Sequence, residues 1–327
     1  MGNEVIPAAA EVLNALGLNI QFTEAKAGFE HFQKSGDAIP DETLAAIESA
    51  GVALFGATSS PSTKVEGYRS PILAMRKAFD LYANLRPVQS LPGNFSRPNL
   101  DLLIVRENTE GLYAGRERME DADTAVAERV ITRKGSSRIA RVAYEQATRR
   151  QQSAISNQQS VVTIVHKANV LKLTDGLFRE ECLKVAEEFP HIITKEMLVD
   201  AMSMRLVKDP QNFDVIVTTN LFGDILSDEA SALIGGLGVA PSANIGAKVA
   251  VFEPVHGSAP DIMGQGIANP IGAILSSAMM LDHVGQGDAA SRVRRAVNVT
   301  LLAGVLPKDL GGKATTKEVT KAVISNL

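Results

Sequence analysis

The chain contains one cysteine, Cys182, and so cannot close an internal disulfide. That excludes a disulfide-stapled scaffold and points to a reducing compartment. Tryptophan is absent and aromatic residues make up only 5%, too few for a base-stacking surface or an aromatic sugar platform. Lysine and arginine total 33 against 37 aspartates and glutamates, a net charge of -4. The basic excess of a general nucleic-acid binder is therefore missing, and no nucleic-acid partner is expected. No apolar run approaches the roughly 18 residues that cross a bilayer, so a soluble protein without a membrane partner is expected. The N-terminus has neither a basic region nor a secretory hydrophobic core. The expected location is the cytoplasm, or the mitochondrial matrix if a presequence lies upstream of Met1.

What is present is ordinary in bulk. Hydrophobic residues make up 45% and charged residues 21%, which excludes gross disorder. A length of 327 residues suggests two domains, or one split core. Short, almost continuously apolar runs at 52–55, 102–105, 161–165, 215–218 and 249–252 read as strands covered on both faces of a parallel sheet. Helical patterns alternate with them. One starts at Pro40-Asp41, with Asp41 as cap and Gly51 as stop. Others run over 136–150, 174–188, 223–234, 270–283 and 289–302. The alternation predicts an α/β architecture. The chain runs into helix at Ala8–Leu13 with no strand before it, as though it begins inside a βα unit. Residues 151–160 read as a polar surface loop, and the stretch from Gly235 to Asn244 as an interruption that could be a crossing between domains. A GxGxxG fingerprint is missing: Gly236-Leu237-Gly238 has Pro241 at the third glycine position and follows a helix.

Several residues could carry chemistry. Asp224 and Asp228 stand four apart on a helix, so both carboxylates share one face. Like charges at that spacing cost about 0.2–0.5 kcal/mol unless a positive group compensates. A hard divalent cation would do so, and a helix N-terminus would also favour both acids. Asp200 follows the apolar Met197-Leu198-Val199, either as a third oxygen ligand at a strand end or as a helix cap. Lys167 follows a strand directly and reads as a general base with a lowered pKa or as a solvated lysine. Arg76, Arg86 and Arg106 near strand ends suit capture of a polycarboxylate, or surface ion pairs, and Tyr113 could donate a proton. The small-residue loop from Phe252 to Asp261 lets backbone N–H groups approach a phosphate or an adenine. Asp261 could accept from a ribose diol, whereas His256 in such a loop is usually only solvated.

Four segments carry a family likeness: Arg106-Glu107-Asn108-Thr109-Glu110-Gly111-Leu112-Tyr113, His166-Lys167-Ala168-Asn169-Val170, 220–228 and 253–261. Together they resemble the metal-dependent β-decarboxylating dehydrogenases of isocitrate, 3-isopropylmalate and homoisocitrate, from Gly2 to the C-terminus. The resemblance implies an isopropylmalate dehydrogenase-like fold with two α/β domains around parallel or mixed sheets. Residues 1–82 with 236–327 would form the larger, cofactor-binding domain, without its first strand. Residues 83–235 would form the substrate and dimerisation domain, with a clasp near 113–138. Asp200, Asp224 and Asp228 would hold Mg2+ or Mn2+. Arg76, Arg86 and Arg106, with Ser70 and Asn169, would bind the acid; Lys167 would assist loss of the hydroxyl proton and Tyr113 would protonate the enol.

NAD would lie along Glu253, His256, Gly257, Ser258, Ala259, Asp261 and Ile262, with Asn269 near the adenine. Asp261-Ile262 stands where NADP-dependent relatives carry Lys-Tyr, which implies NAD. Lys167 and Asp200 would act across a homodimer interface, in a dimer or a tetramer with shared active sites. Ser70 keeps a hydroxyl where isocitrate enzymes bind a carboxylate, and Ile72 replaces an asparagine. The expected order of substrates is homoisocitrate, isocitrate, then isopropylmalate. Relatives begin with a strand and a glycine-rich loop of which only Gly2 remains, so a start upstream of Met1 is expected. The competing reading is a catalytically silent regulatory subunit. Such subunits lose members of the acid and arginine sets, all of which stand here.

Overall fold

The computed structural model describes the chain except for Ser60, Ser62, Lys64 and residues 154–158. It is a mixed α/β protein. In chain order the strands are β1 (Val52–Leu54), β2 (Ala83–Gln89), β3 (Asp101–Glu107), β4 (Glu117–Met119), β5 (Ala125–Ala127), β6 (Val161–His166), β7 (Ile193–Leu198), β8 (Val215–Thr218), β9 (Pro241–Ile245) and β10 (Ala250–Pro254). The chain forms two compact units. One comprises Met1–Leu81, Ser90–Pro98 and Ser231–Leu327; the other comprises Tyr82–Gln89 and Asn99–Ala230. Among the described residues no helix is long and apolar enough to cross a membrane.

In the first unit β1 runs parallel to β10, and β10 antiparallel to β9. Helix Gly2–Ala15 buries Val5, Ala8, Ala9, Val12 and Leu13, the i, i+3, i+4 spacing of a single apolar face. Helix Asp41–Ala50 stops at Gly51, whose φ of 72° is left-handed backbone that glycine adopts without a Cβ clash. Its cap position is Pro40, so Asp41 is the first helical residue and not the cap. There it favours the positive helix end through its charge. β1 also departs from expectation, since its three residues are only half-buried. The segment Pro241–Ile245, expected to be part of a crossing, is a strand registered residue for residue on β10. Its polar side chains hid it: Ser242 and Asn244 are buried, and each is hydrogen-bonded inside.

In the second unit the strand order is β2-β3-β8-β6-β7, antiparallel between β2 and β3 and parallel thereafter. β8 is buried along its whole length, as its unbroken apolar run predicts. Helices Arg133–Ser153, Thr174–Ala186, Val199–Lys208 and Asn220–Ala232 belong to this unit for most or all of their length. The first of them runs to Ser153, so the expected polar loop begins as helix, and residues 154–158 of it lie outside the described residues. β4 and β5 form a small exposed antiparallel ribbon within 113–138.

Candidate active site

The second unit gathers most of the predicted groups. Arg106 is the penultimate residue of β3, near a strand end as expected, whereas Arg86 sits in the middle of β2. Asn84 pairs with Arg106 across the two strands, and Arg86 stands two residues on, so all three share one sheet face. The helix Asn220–Ala232 brings its acids to that face. Arg106 is 1% exposed. Its Nε and Nη2 donate to Asn220 Oδ1 at 3.1 and 2.7 Å, and its Nη1 pairs with Asp224. Arg86 Nε donates to Asn84 Oδ1 at 2.7 Å. Its Nη1 donates to Ser227 Oγ at 2.6 Å and reaches Asp228 Oδ1 at 3.1 Å and Asp224 Oδ1 at 3.3 Å. One guanidinium therefore compensates both acids, which answers the repulsion that their spacing predicts.

Tyr113 Oη donates to Asp224 Oδ2 at 2.5 Å, and the Arg106 guanidinium lies 5.1 Å from the ring centre. Burial first, and then the bond to Asp224, push the phenol above its ordinary pKa, so it keeps its proton at neutral pH. Burial also raises the Asp228 carboxyl, against the opposing pull of Arg86. Lys167 follows β6 and its Nζ donates to Asp200 Oδ1 at 2.5 Å; that hydrogen bond lowers the Asp200 pKa. Asp200 lies in the first turn of helix Val199–Lys208, whose cap position is Leu198. Asn169 is exposed in the turn after β6. The structure thus joins Asp224 to Asp228 through Arg86, and Asp200 to Lys167. Among the described residues of a single chain, no three metal-binding side chains gather.

The first unit carries the other predicted residues. Arg76 lies on helix Pro71–Ala78, again not at a strand end, and is buried. Its Nε donates to Asn244 Oδ1 at 3.1 Å and its Nη2 lies 3.5 Å from Glu253 Oε1. Asn244 Nδ2 donates to Glu253 Oε1 at 2.9 Å and to the Val251 carbonyl at 3.2 Å. Glu253 itself is in β10 rather than in the loop after it. Ser70 is the cap residue of the Arg76 helix, but its hydroxyl caps no N–H there.

His256 is buried, with Nδ1 3.1 Å from the Gly257 carbonyl and Nε2 without a partner among the described residues. Loss of solvation pushes its pKa down, so the ring is neutral. Ala259 has a φ of 38°, left-handed backbone rare for a residue with a side chain and characteristic of functional loops. Ser258 and Ile262 are half-buried, and Asp261 is exposed in the turn Pro260–Ile262. Asn269 is committed inside: its Oδ1 accepts from Ile271 N and its Nδ2 donates to Asp309.

The comparisons with known proteins agree with one another. The isocitrate/isopropylmalate dehydrogenase family profile matches residues 1–323. The chain belongs to that family. It is 53% identical over 327 residues to the isocitrate/homoisocitrate dehydrogenase of Thermus thermophilus, covering 100% of this chain and 96% of that one. It is 48% identical over 328 residues to a 3-isopropylmalate dehydrogenase of Methanothermobacter thermautotrophicus, covering 100% and 95%. The crystal structure of isocitrate dehydrogenase from Methylococcus capsulatus superposes with a TM-score of 0.93 at 43% identity, covering 99% and 95%. Isocitrate/isopropylmalate dehydrogenases are decarboxylating enzymes, and the expected isopropylmalate dehydrogenase-like α/β fold stands.

Members of the family work with a divalent metal and NAD(P), and the residues here fit both. Asp224 and Asp228 offer an all-oxygen donor set, which suits a hard cation. The orphaned Nε2 of His256 is a buried acceptor awaiting a donor. Sequence reasoning missed Asn84, Asn220, Ser227 and Asn244. Asn220 lay within a quoted motif, and Asn244 was signalled only by standing polar in what became a buried strand.

Proposed function

We propose that this enzyme oxidatively decarboxylates homoisocitrate with NAD, with isocitrate as a second substrate. The observation that carries the reading is the convergence of Arg106 and Tyr113 on Asp224, beside Arg86 and Asp228. Two buried, permanently charged guanidiniums suit bidentate capture of carboxylates. A tyrosine held protonated next to them suits protonation of carbon. The chemistry runs in three stages. Lys167, once it has passed its own proton to solvent and left Asp200, would accept the proton of the 2-hydroxyl, and NAD held along the 253–262 loop would supply the two-electron acceptor for the hydrogen at C2, giving a 3-carboxy-2-keto acid. The C3–carboxylate bond breaks, releasing CO2 and leaving its electron pair in an enolate. Tyr113 returns a proton to C3. Mg2+ or Mn2+, held by Asp224, Asp228 and Asp200, would supply electrostatic stabilisation of the negative oxygen.

Completing that acid set calls for a second copy of the chain, and we read the enzyme as a homodimer with shared sites. Asp200, Met204 and Val207 lie on one exposed face of their helix, and Val170, Leu173 and Ile225 are also exposed. Apolar surface flanking the acids in this way supports that reading. The exposed Asp261 beside Ile262 favours NAD, since a carboxylate there would repel a 2′-phosphate. The bacterial and archaeal relatives support a cytoplasmic location.

A second reading, 3-isopropylmalate, is favoured by Leu73. This side chain is exposed one turn ahead of Arg76 on the same helix and could receive a branched alkyl group. The test is a panel of kcat/KM values for the three acids, with NAD and NADP and with Mn2+ present or chelated. A preference for isopropylmalate overturns the substrate reading. Absence of metal-dependent NADH production overturns the catalytic reading and favours a silent subunit.

A further inference from the structure

A buried ion pair in the second unit has no part in the chemistry above. Asp175, in the first turn of helix Thr174–Ala186, has no solvent exposure, and Arg129, which follows the β4–β5 ribbon, keeps 13% of its side chain exposed. Burying such a pair is costly, and apolar residues of similar size commonly serve stability as well or better. What the pair touches gives its use. Asp175 Oδ1 pairs with Arg129, while Oδ2 accepts the backbone N–H of Lys167 at 2.6 Å. Arg129 Nη2 donates to Thr219 Oγ1 at 2.8 Å, and its guanidinium lies 4.8 Å from the Phe222 ring centre. Thr219 precedes the helix that carries Asp224 and Asp228, and its carbonyl accepts from Gly223 N at 2.9 Å. A two-residue strut therefore runs from the main chain of Lys167 to the start of the helix bearing the two acids.

We infer that Asp175 and Arg129 are positioning residues that fix Lys167 and the Asp224–Asp228 helix in one mutual geometry. The inference rests on the roles given to these residues under Proposed function. If Lys167 serves one active site of a dimer and Asp224 the other, the strut also ties the two sites together within each chain.

The test uses the full chain with NAD and Mn2+. Arg129→Lys keeps the charge but loses the planar fork that reaches Asp175 and Thr219 together. Its kcat should fall about tenfold or more, as small misplacements of catalytic groups do, with KM for the acid within about threefold. The double variant Arg129→Met with Asp175→Leu removes the charges together, so its melting temperature should stay near that of the parent. Its kcat should nevertheless stay low, because Lys167 N–H has lost its acceptor. A purely structural role predicts that activity returns along with stability. A parent-like kcat in Arg129→Lys, or in the double variant, overturns the inference. Lys167→Ala separates the two readings. If it is inactive while Arg129→Lys is fully active, the strut alone is wrong. If Lys167→Ala is itself fully active, the role of Lys167 fails and the inference goes with it.

Discussion

Gly223 offers the sharpest test of the site geometry. It lies in the first turn of helix Asn220–Ala232, where propensity alone makes alanine better than glycine by about 1 kcal/mol. Space argues the other way. A Cβ at 223 would stand 2.6 Å from Arg106 Cγ, 2.7 Å from Arg106 Cβ and 3.2 Å from Thr218 Cγ2. The obstructing atoms are the base of a fully buried arginine, not a flexible tip, so the helix or β3 must move. Overpacking of this kind costs about 1–3 kcal/mol, and subtracting the propensity gain leaves a net loss of up to about 2 kcal/mol. A domain of this size loses roughly 2–4 °C of melting temperature per kcal/mol. The larger effect should be on catalysis, because the same shift separates Asp224 from Arg106 and Tyr113. A displacement near 1 Å can cost about 100-fold, so kcat with Mn2+ should fall between about tenfold and 100-fold. Gly176→Ala is the control. That glycine is also helical, with nothing within 4 Å of an added Cβ, and the substitution should stabilise by about 0.4–1 kcal/mol with activity intact. Calorimetry and initial rates on the two variants decide the matter. If Gly223→Ala gains stability and keeps its rate as Gly176→Ala does, the close packing of helix on Arg106 is not what sets the site.

Two other positions give independent checks. His256 is neutral in the fold because burial lowers its pKa, whereas the unfolded chain takes up a proton near pH 6.5. Its stabilisation is therefore complete above about pH 6.5 and is lost as pH falls from there towards the folded pKa, below which it levels off. His256→Gln should flatten that limb in urea titrations at successive pH values. Parallel curves for parent and variant would show that the imidazole is not responsible. Asn244→Ala leaves Arg76 Nε and Glu253 Oε1 without their shared neutral partner. With the Arg76–Glu253 pair surviving, loss of these hydrogen bonds should cost about 1–3 kcal/mol. KM for the acid should rise with it, and an unchanged KM in a destabilised variant would detach Arg76 from substrate binding.

The parts of the fold legible in the sequence were those where burial on both faces left an unbroken apolar run. Val215–Thr218 and the strand around Ile164 are of this kind, and so are the helices that alternate with them. Gly51 was legible as a stop because only backbone geometry was at stake. Among the elements that escaped are some whose interior is polar or whose faces are exposed. β9 holds Ser242 and Asn244 in its core, and their hydrogen bonds to β10 replace the apolar contacts that a pattern search looks for. β7 carries Lys195 and Glu196 on an exposed edge. Arg86 looked like a strand-end group because buried arginines in mid-strand are rare, and its partners, Asn84 on its own strand and the acids of a distant helix, meet only in three dimensions.

The candidate site was legible as a set of residues but not as an assembly, and one helix explains why. Val199–Lys208 carries apolar residues on two faces: Met202 and Leu206 are buried, while Met204 and Val207 are exposed on the same face as Asp200. The inward face packs in its own unit, and the outward face has no covering element among the described residues. Ser203 Oγ donates to Glu229 at 2.9 Å, which ties this helix to the one bearing Asp224 and Asp228. Yet Asp200 turns to Lys167 and does not join the other two acids in one chain. The homodimer proposed above would bring Asp200 of one copy to the two acids of the other. Concentration-dependent activity should follow from it, with rate per subunit falling on dilution below the dimer dissociation constant. A rate per subunit that stays constant down to a demonstrably monomeric enzyme would place the whole site within one chain and refute the shared arrangement.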